Sequence, residues 1–251
     1  MKTILITGCS SGYGLETARL FHTKGWNVIA TMRTPNAAVL APTRRLQVLP
    51  LDVTLPESID QALRLAGPID VLVNNAGIGL FGAFEATPMA TVREIFETNT
   101  FGTMAMTQAV LPQFRKRRSG LVINVTSTAT MVSFPLVAAY TASKTAVEGF
   151  TESLALELAE FDIGIKLVEP GYGPTTRFGT NGVERMQGLI PEPYAPYARS
   201  VFAALGNPTA VTTEIAVAEA IWRAANDYAG TLRYPAGDDA VAIALTKGRQ
   251  V

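Results

Sequence analysis

The chain has 251 residues, with 21 basic and 21 acidic side chains, and this even balance argues against a nucleic-acid partner. Hydrophobic residues make up 48% and charged residues only 17%, which leaves more apolar surface than a monomer needs to hide and favours an oligomer. A single cysteine, Cys9, and a single histidine, His22, exclude an internal disulfide, a cysteine-rich metal site and zinc chemistry, so no metal is expected.

The first element is the short apolar run Thr3–Thr7, which reads as a buried parallel strand. With one lysine ahead of it, this opening does not resemble a signal peptide, and the expected location is cytoplasmic. A glycine-rich turn follows, Gly8-Cys9-Ser10-Ser11-Gly12-Tyr13-Gly14, and then a helix over Leu15–His22 with a stop signal at Gly25. Strand, glycine turn and helix together form a cradle for a pyrophosphate: the glycines let the backbone approach, and the helix N-terminus offers free N–H groups. His22 falls in that helix, away from any nucleophile, which argues against a Ser-His-Asp triad.

The next strands are Asn27–Met32, Leu46–Leu51 and Asp70–Asn74, the last running into Asn75, Ala76 and Gly77. Arg115-Lys116-Arg117-Arg118 is the only basic run and reads as a helix C-terminus complementing its own dipole. Residues 119–143 carry no charge, but Asn124, Pro135 and several hydroxyl residues make a membrane span a poor reading. A buried strand, Leu121–Ser127, leading into an active-site loop explains the segment better. Tyr140 and Lys144 follow inside a helix, four residues apart and so on one face. An ammonium ~4 Å from a phenol favours the phenolate by about 4 kcal/mol at an effective dielectric near 20. The pair therefore predicts a tyrosine drawn from its usual pKa toward neutrality, suited to general acid–base work. A strand at Ile165–Pro170, a helix at Thr213–Asn226 and a last strand at Leu232–Pro235 complete the series, and the signals fall at or just past strand carboxyl ends.

These residues resemble the short-chain dehydrogenase/reductase family, in its compact branch, over nearly the whole chain. The resemblance rests on T-G-x-x-x-G-x-G at Thr7–Gly14, N-N-A-G at Asn74–Gly77, Asn99, Ser127, Y-x-x-x-K at Tyr140–Lys144, and P-G at Pro170–Gly171. It implies an α/β fold: a single-domain Rossmann fold over residues 1–251, with a doubly wound parallel sheet of about seven strands and helices on both faces. It also implies a homotetramer or dimer.

The activity so implied is an oxidoreductase of the carbonyl reductase or alcohol dehydrogenase type. Tyr140 would pass a proton to the carbonyl oxygen or take one from the alcohol. Lys144 would lower its pKa and bond the nicotinamide ribose, and Ser127 would fix the carbonyl. Asn99 would interrupt a helix and hold a water between Lys144 and solvent. Gly8, Ser10, Ser11, Gly12, Tyr13 and Gly14 would surround the adenosine phosphates. Asp52 and Val53 would meet the adenine, Asn75 and Gly77 the adenosine ribose, and Pro170, Gly171, Gly173 and Thr175 the nicotinamide end. Gly173 departs from the family, which usually has Val or Ile there. A non-catalytic dinucleotide sensor and a non-redox lyase or isomerase remain as alternatives.

An NAD enzyme places Asp or Glu after the second strand to bind the ribose hydroxyls. Here Met32 holds that place and Arg33 follows, suited to a 2′-phosphate. NADP(H) is the expected cofactor, with NAD(H) as the alternative. Residues 170–196 hold five glycines and five prolines, with Phe178, Met186, Leu189, Ile190 and Tyr194 among them. That composition predicts a substrate flap at about 172–200, joined by Phe81, Phe84 and Phe134, over a hydrophobic ketone, aldehyde or alcohol.

Overall fold

The computed structural model describes residues 1–176 and 183–247. Seven strands form one sheet: β1 (Thr3–Ile6), β2 (Asn27–Met32), β3 (Leu46–Pro50), β4 (Val71–Asn74), β5 (Gly120–Val125), β6 (Ile163–Pro170) and β7 (Arg233–Ala236). Their order is β3-β2-β1-β4-β5-β6-β7, and every neighbouring pair is parallel. This is the doubly wound Rossmann arrangement expected from the sequence.

The reason lies in the strands' composition. Consecutive side chains point to opposite faces, and in β1 both faces are apolar: Ile4 and Ile6 join one core, Leu5 the other. A sheet apolar on both faces needs helices on both. On the Ile4 side lie α1 (Gly12–Thr23) and α8 (Glu214–Asn226), with Phe21, Trp26 and Trp222 meeting edge to face at centroid distances of 5.1–5.9 Å. On the Leu5 side α2 (Pro56–Ala66), α4 (Gly102–Arg117) and α5 (Ala138–Ala159) bury Ala62, Met106, Phe114 and Leu158. The remaining helices are α3 (Met89–Phe96), α6 (Val183–Met186), α7 (Ala195–Leu205) and α9 (Asp238–Thr246). Among the described residues, no helix is long and apolar enough to cross a membrane.

The order in which strands are added reverses at β1, since β2 and β3 lie on one side of it and β4 on the other. That switch point opens a crevice at the strands' carboxyl ends, and the glycine turn sits in it.

Candidate active site

Thr7 leaves β1 and zips two loops together. Its hydroxyl donates to the Val73 carbonyl (3.3 Å) and accepts from the Asn75 and Ala76 N–H groups (3.0 and 2.9 Å). The Asn75 amide nitrogen answers by donating to the Thr7 and Gly8 carbonyls (2.9 and 3.2 Å). Gly8 takes φ +75°, and a Cβ there would come within 2.8 Å of the Ala76 Cα, so both backbone conformation and space demand glycine. At Gly14 a Cβ would collide with the Asn75 amide and the Gly8 carbonyl. The result is a bare turn leading into the N-terminus of α1, whose first N–H groups have no partner within the helix. Phosphate oxygens fit such a cradle. Cys9 is packed beneath it, and burial pushes its thiol up to about 12, so it is no nucleophile.

Ser10, Ser11 and Gly12 line the turn as the motif implies, with Ser11 as the residue before α1. The Tyr13 side chain, by contrast, leaves the turn and reaches the loop after β6, against Gly173 and Thr176. Asp52 lies beyond β3, where its carboxylate accepts from the Thr54 N–H and hydroxyl (3.0 and 2.7 Å). Val53 is buried, packed so closely on Gly102 that a Cβ there would clash. Arg33 is exposed at the end of β2, whereas Met32 is buried. Arg33 has company from α3 and α6: Arg185 donates to both oxygens of Glu94 (3.0 and 2.6 Å). The Glu94 carboxyl is held below its ordinary range chiefly by that Arg185 bond, with the Arg33 charge adding to it.

The expected helix interruption is a π-helical turn, Glu97–Phe101, between α3 and α4. It carries Asn99 inward, fully buried. The Asn99 amide oxygen accepts from the Ile78 N–H (2.8 Å), while its nitrogen donates to the Ile78 carbonyl (3.0 Å) and the Ser143 hydroxyl (3.1 Å). Asn99 thereby ties the loop after Gly77 to α5. Gly77 sits in the angle: a Cβ there would lie 3.2 Å from the Asn99 oxygen and 3.5 Å from the Lys144 Nζ.

Ser127 caps a short 3₁₀ turn, Thr128–Thr130, its Oγ accepting from the Ala129 N–H (3.2 Å). It is also hydrogen-bonded to the Tyr140 hydroxyl. Lys144, one turn further along α5, is buried and donates to the Val125 carbonyl (2.8 Å). The structure brings Ser127, Tyr140, Lys144 and Asn99 to the two ends of one short stretch of α5 and its neighbours, but the electrostatics differ from the expectation. Burial pushes the Tyr140 phenol up to about 12, only partly offset by its Ser127 bond, and desolvation pulls Lys144 down to about 8. The i, i+4 estimate omitted the cost of taking both groups out of water.

Beyond β6, Gly171 donates to the Thr212 hydroxyl (3.0 Å) and Tyr172 to the Asp239 carboxylate (2.6 Å). The Thr175 hydroxyl donates to Glu214 at the start of α8 (3.0 Å), so it faces that helix. Within the expected flap, Leu189 is core: it packs with Leu80, Ile95 and Ala139, with Met186 against them. Phe81 meets Phe202 edge to face at 6.1 Å, while Phe84 and Phe134 are exposed. Phe178 lies outside the described residues.

Sequence reading missed the support beneath Ser127. Glu148 accepts from the Thr126 hydroxyl (3.3 Å) and the Thr130 hydroxyl, and Thr130 also donates to the Ser127 carbonyl (2.6 Å). Arg233 of β7 pairs with Glu148 (2.9 Å), Glu169 (2.5 Å) and Glu152 (2.5 Å). Glu148 stands four residues past Lys144, on the same helix face; that spacing was the available signal.

Comparison with known proteins adds a family model, described as short chain dehydrogenase, that matches residues 2–184. Human retinol dehydrogenase 8 is 40% identical over 237 residues, covering 85% of this chain and 76% of that protein. The bovine retinol dehydrogenase 8 is 44% identical over 182 residues, covering 68% of this chain but only 58% of its own length. A crystal structure of a short-chain dehydrogenase from Streptomyces avermitilis matches with a TM-score of 0.83 at 35% identity, covering 98% of this chain and 92% of that one. Other matched structures were solved with NADP or with NADH.

Proposed function

The chain belongs to the short-chain dehydrogenase/reductase family, an oxidoreductase family using a nicotinamide dinucleotide, and on that premise we propose that it reduces a hydrophobic ketone or aldehyde to an alcohol with NADPH, or runs the reverse. One observation carries the reading: the Tyr140 hydroxyl is bonded to Ser127, one helical turn from the buried Lys144. When bound, the reduced nicotinamide supplies the hydride. Tyr140, protonated at neutral pH because burial holds its pKa high, gives its proton to the carbonyl oxygen that Ser127 orients. Lys144, still charged at neutral pH, stabilises the phenolate left behind. The Val125 carbonyl holds that ammonium in place beside Gly77, and the glycine turn with the α1 N-terminus receives the phosphates.

NADP(H) preference rests on Arg33, exposed at the end of β2 where no acid stands. Exposed Phe84, which lies against residues 136–139 just before Tyr140, and exposed Phe134 support an apolar substrate. The single sheet supports one domain throughout, with residues at about 172–200 as a flap. The exposed apolar side chains Phe101 and Leu156 support a homo-oligomer, dimer or tetramer, and we place the protein in the cytoplasm.

The test follows NADPH and NADH consumption against aryl, aliphatic and steroid-like ketones. Tyr140→Phe should lower kcat by a factor of about 100 or more, the usual range for a lost general acid, with NADPH affinity largely retained. Near-wild-type turnover would remove Tyr140 from the role. Tight NADPH binding by wild type with no turnover on any ketone would favour the sensor. Arg33→Asp should move preference toward NADH; an unchanged ratio of kcat/KM values would place the selectivity elsewhere.

A further inference from the structure

Two features of this chain meet in space. Position 173 is glycine, where the family usually has Val or Ile, and the glycine turn carries a phenol at Tyr13. A Cβ added to Gly173 would fall on the Tyr13 hydroxyl oxygen, far inside contact distance, and 3.1 Å from both the Tyr13 Cζ and the Thr176 Cγ2. The space a residue-173 side chain would need is therefore already filled, from the opposite side of the crevice. Gly12 makes the second approach, since a Cβ there would lie 3.8 Å from Thr176. Thr176 folds back on Gly173 through its N–H (3.2 Å) and hydroxyl (2.7 Å), so this loop presents a formed surface to the turn.

The phenol's surroundings point the same way. Burial, then the charges of Tyr140, Glu214 and Asp239, push the Tyr13 pKa above its ordinary value, so the group stays a neutral hydroxyl close to the reacting end of the site.

We propose that Tyr13 is a positioning residue, whose phenol substitutes for the missing side chain at Gly173 and seats the 171–176 loop on the glycine turn, beside the nicotinamide end of the cofactor. Tyr13 thus acts through the loop after β6 rather than on the phosphates. The proposal rests on the cofactor reading above, but not on turnover.

A double-mutant cycle tests it: Gly173→Ala, Tyr13→Leu and the pair, read by NADPH affinity from fluorescence titration, by kcat and KM, and by thermal unfolding. Gly173→Ala alone overpacks the contact and should weaken NADPH binding by about tenfold or more. Tyr13→Leu/Gly173→Ala should bring affinity back to within about threefold of wild type, a coupling expected only of touching residues. Should Gly173→Ala fail to fold, recovery of folding in the pair supports the proposal in the same way. Free acceptance of Gly173→Ala, or a pair no better than the sum of its singles, would overturn it. Failure to turn over any ketone would count against the reductase alone, because affinity and unfolding are read without catalysis.

Discussion

Lys144 is the residue on which the chemistry and the stability of this fold pull in different directions. It is buried and donates to the neutral carbonyl of Val125, so desolvation decides its titration and lowers it from 10.5 to about 8. A group whose folded pKa lies below its unfolded value adds stability above the unfolded pKa and withdraws it as pH falls through the folded one. For Lys144 the window runs from about 10.5 down to about 8. Tyr140 moves oppositely: its contribution is intact below 10 and fades as pH climbs toward about 12. Between pH 8 and 10 the Cys9 thiol also ionises in the unfolded chain and acts in the opposite sense. The lysine's share, a penalty of about 3 kcal/mol that should be largely lifted across that span, is therefore read as a difference between wild type and a variant without the lysine. Urea unfolding of wild type and Lys144→Met at pH 7.5 and pH 10 measures this. Wild type should gain stability relative to the variant at the higher pH. Parallel changes in the two proteins would show a lysine of ordinary pKa and would undo the account of its burial.

Elements differ in how clearly their sequence announces them. The strands were legible as short apolar runs, several of them closed by a glycine, asparagine or hydroxyl residue; Thr3–Thr7 became β1 and Ile165–Pro170 fell within β6. The Thr213–Asn226 helix was legible too, down to its Thr213 cap, which accepts from the Ala216 N–H (3.2 Å). Asn99 was read as a helix interruption and is one, but nothing local says that the extra residue is absorbed as a π turn. That depends on Ile78 and Ser143, 21 and 44 residues away. Leu189 was read as flap lining and is core, because its partners come from other elements. Gly173 stood out as a departure without a reason, since the reason is a tyrosine 160 residues earlier that no linear pattern connects to it. Motifs that are contiguous were readable, whereas contacts made by the fold were not.

At the scale of the whole molecule, Arg233 joins the last strand to α5, the helix of Tyr140 and Lys144. It is one cation among three carboxylates, Glu148 and Glu152 of α5 and Glu169 of β6, and two of these are almost wholly buried. Burial alone would disfavour its charge, yet its carboxylate partners raise its pKa above the ordinary arginine value. The hub reaches the candidate site by one further link, since Glu148 also accepts from the hydroxyls on either side of Ser127. Removing the arginine leaves buried carboxylates facing one another, a loss on the order of 3–5 kcal/mol. Arg233→Met should therefore lower the urea midpoint sharply. At temperatures where it remains folded it should also lower kcat more than it raises the KM for NADPH, because the Ser127 loop loses its brace. Adding Glu148→Gln removes one of the stranded charges and should restore part of the stability while leaving kcat low. Arg233→Met with wild-type stability would show the ion pairs to be idle, and full recovery of kcat in the double variant would separate the hub from Ser127.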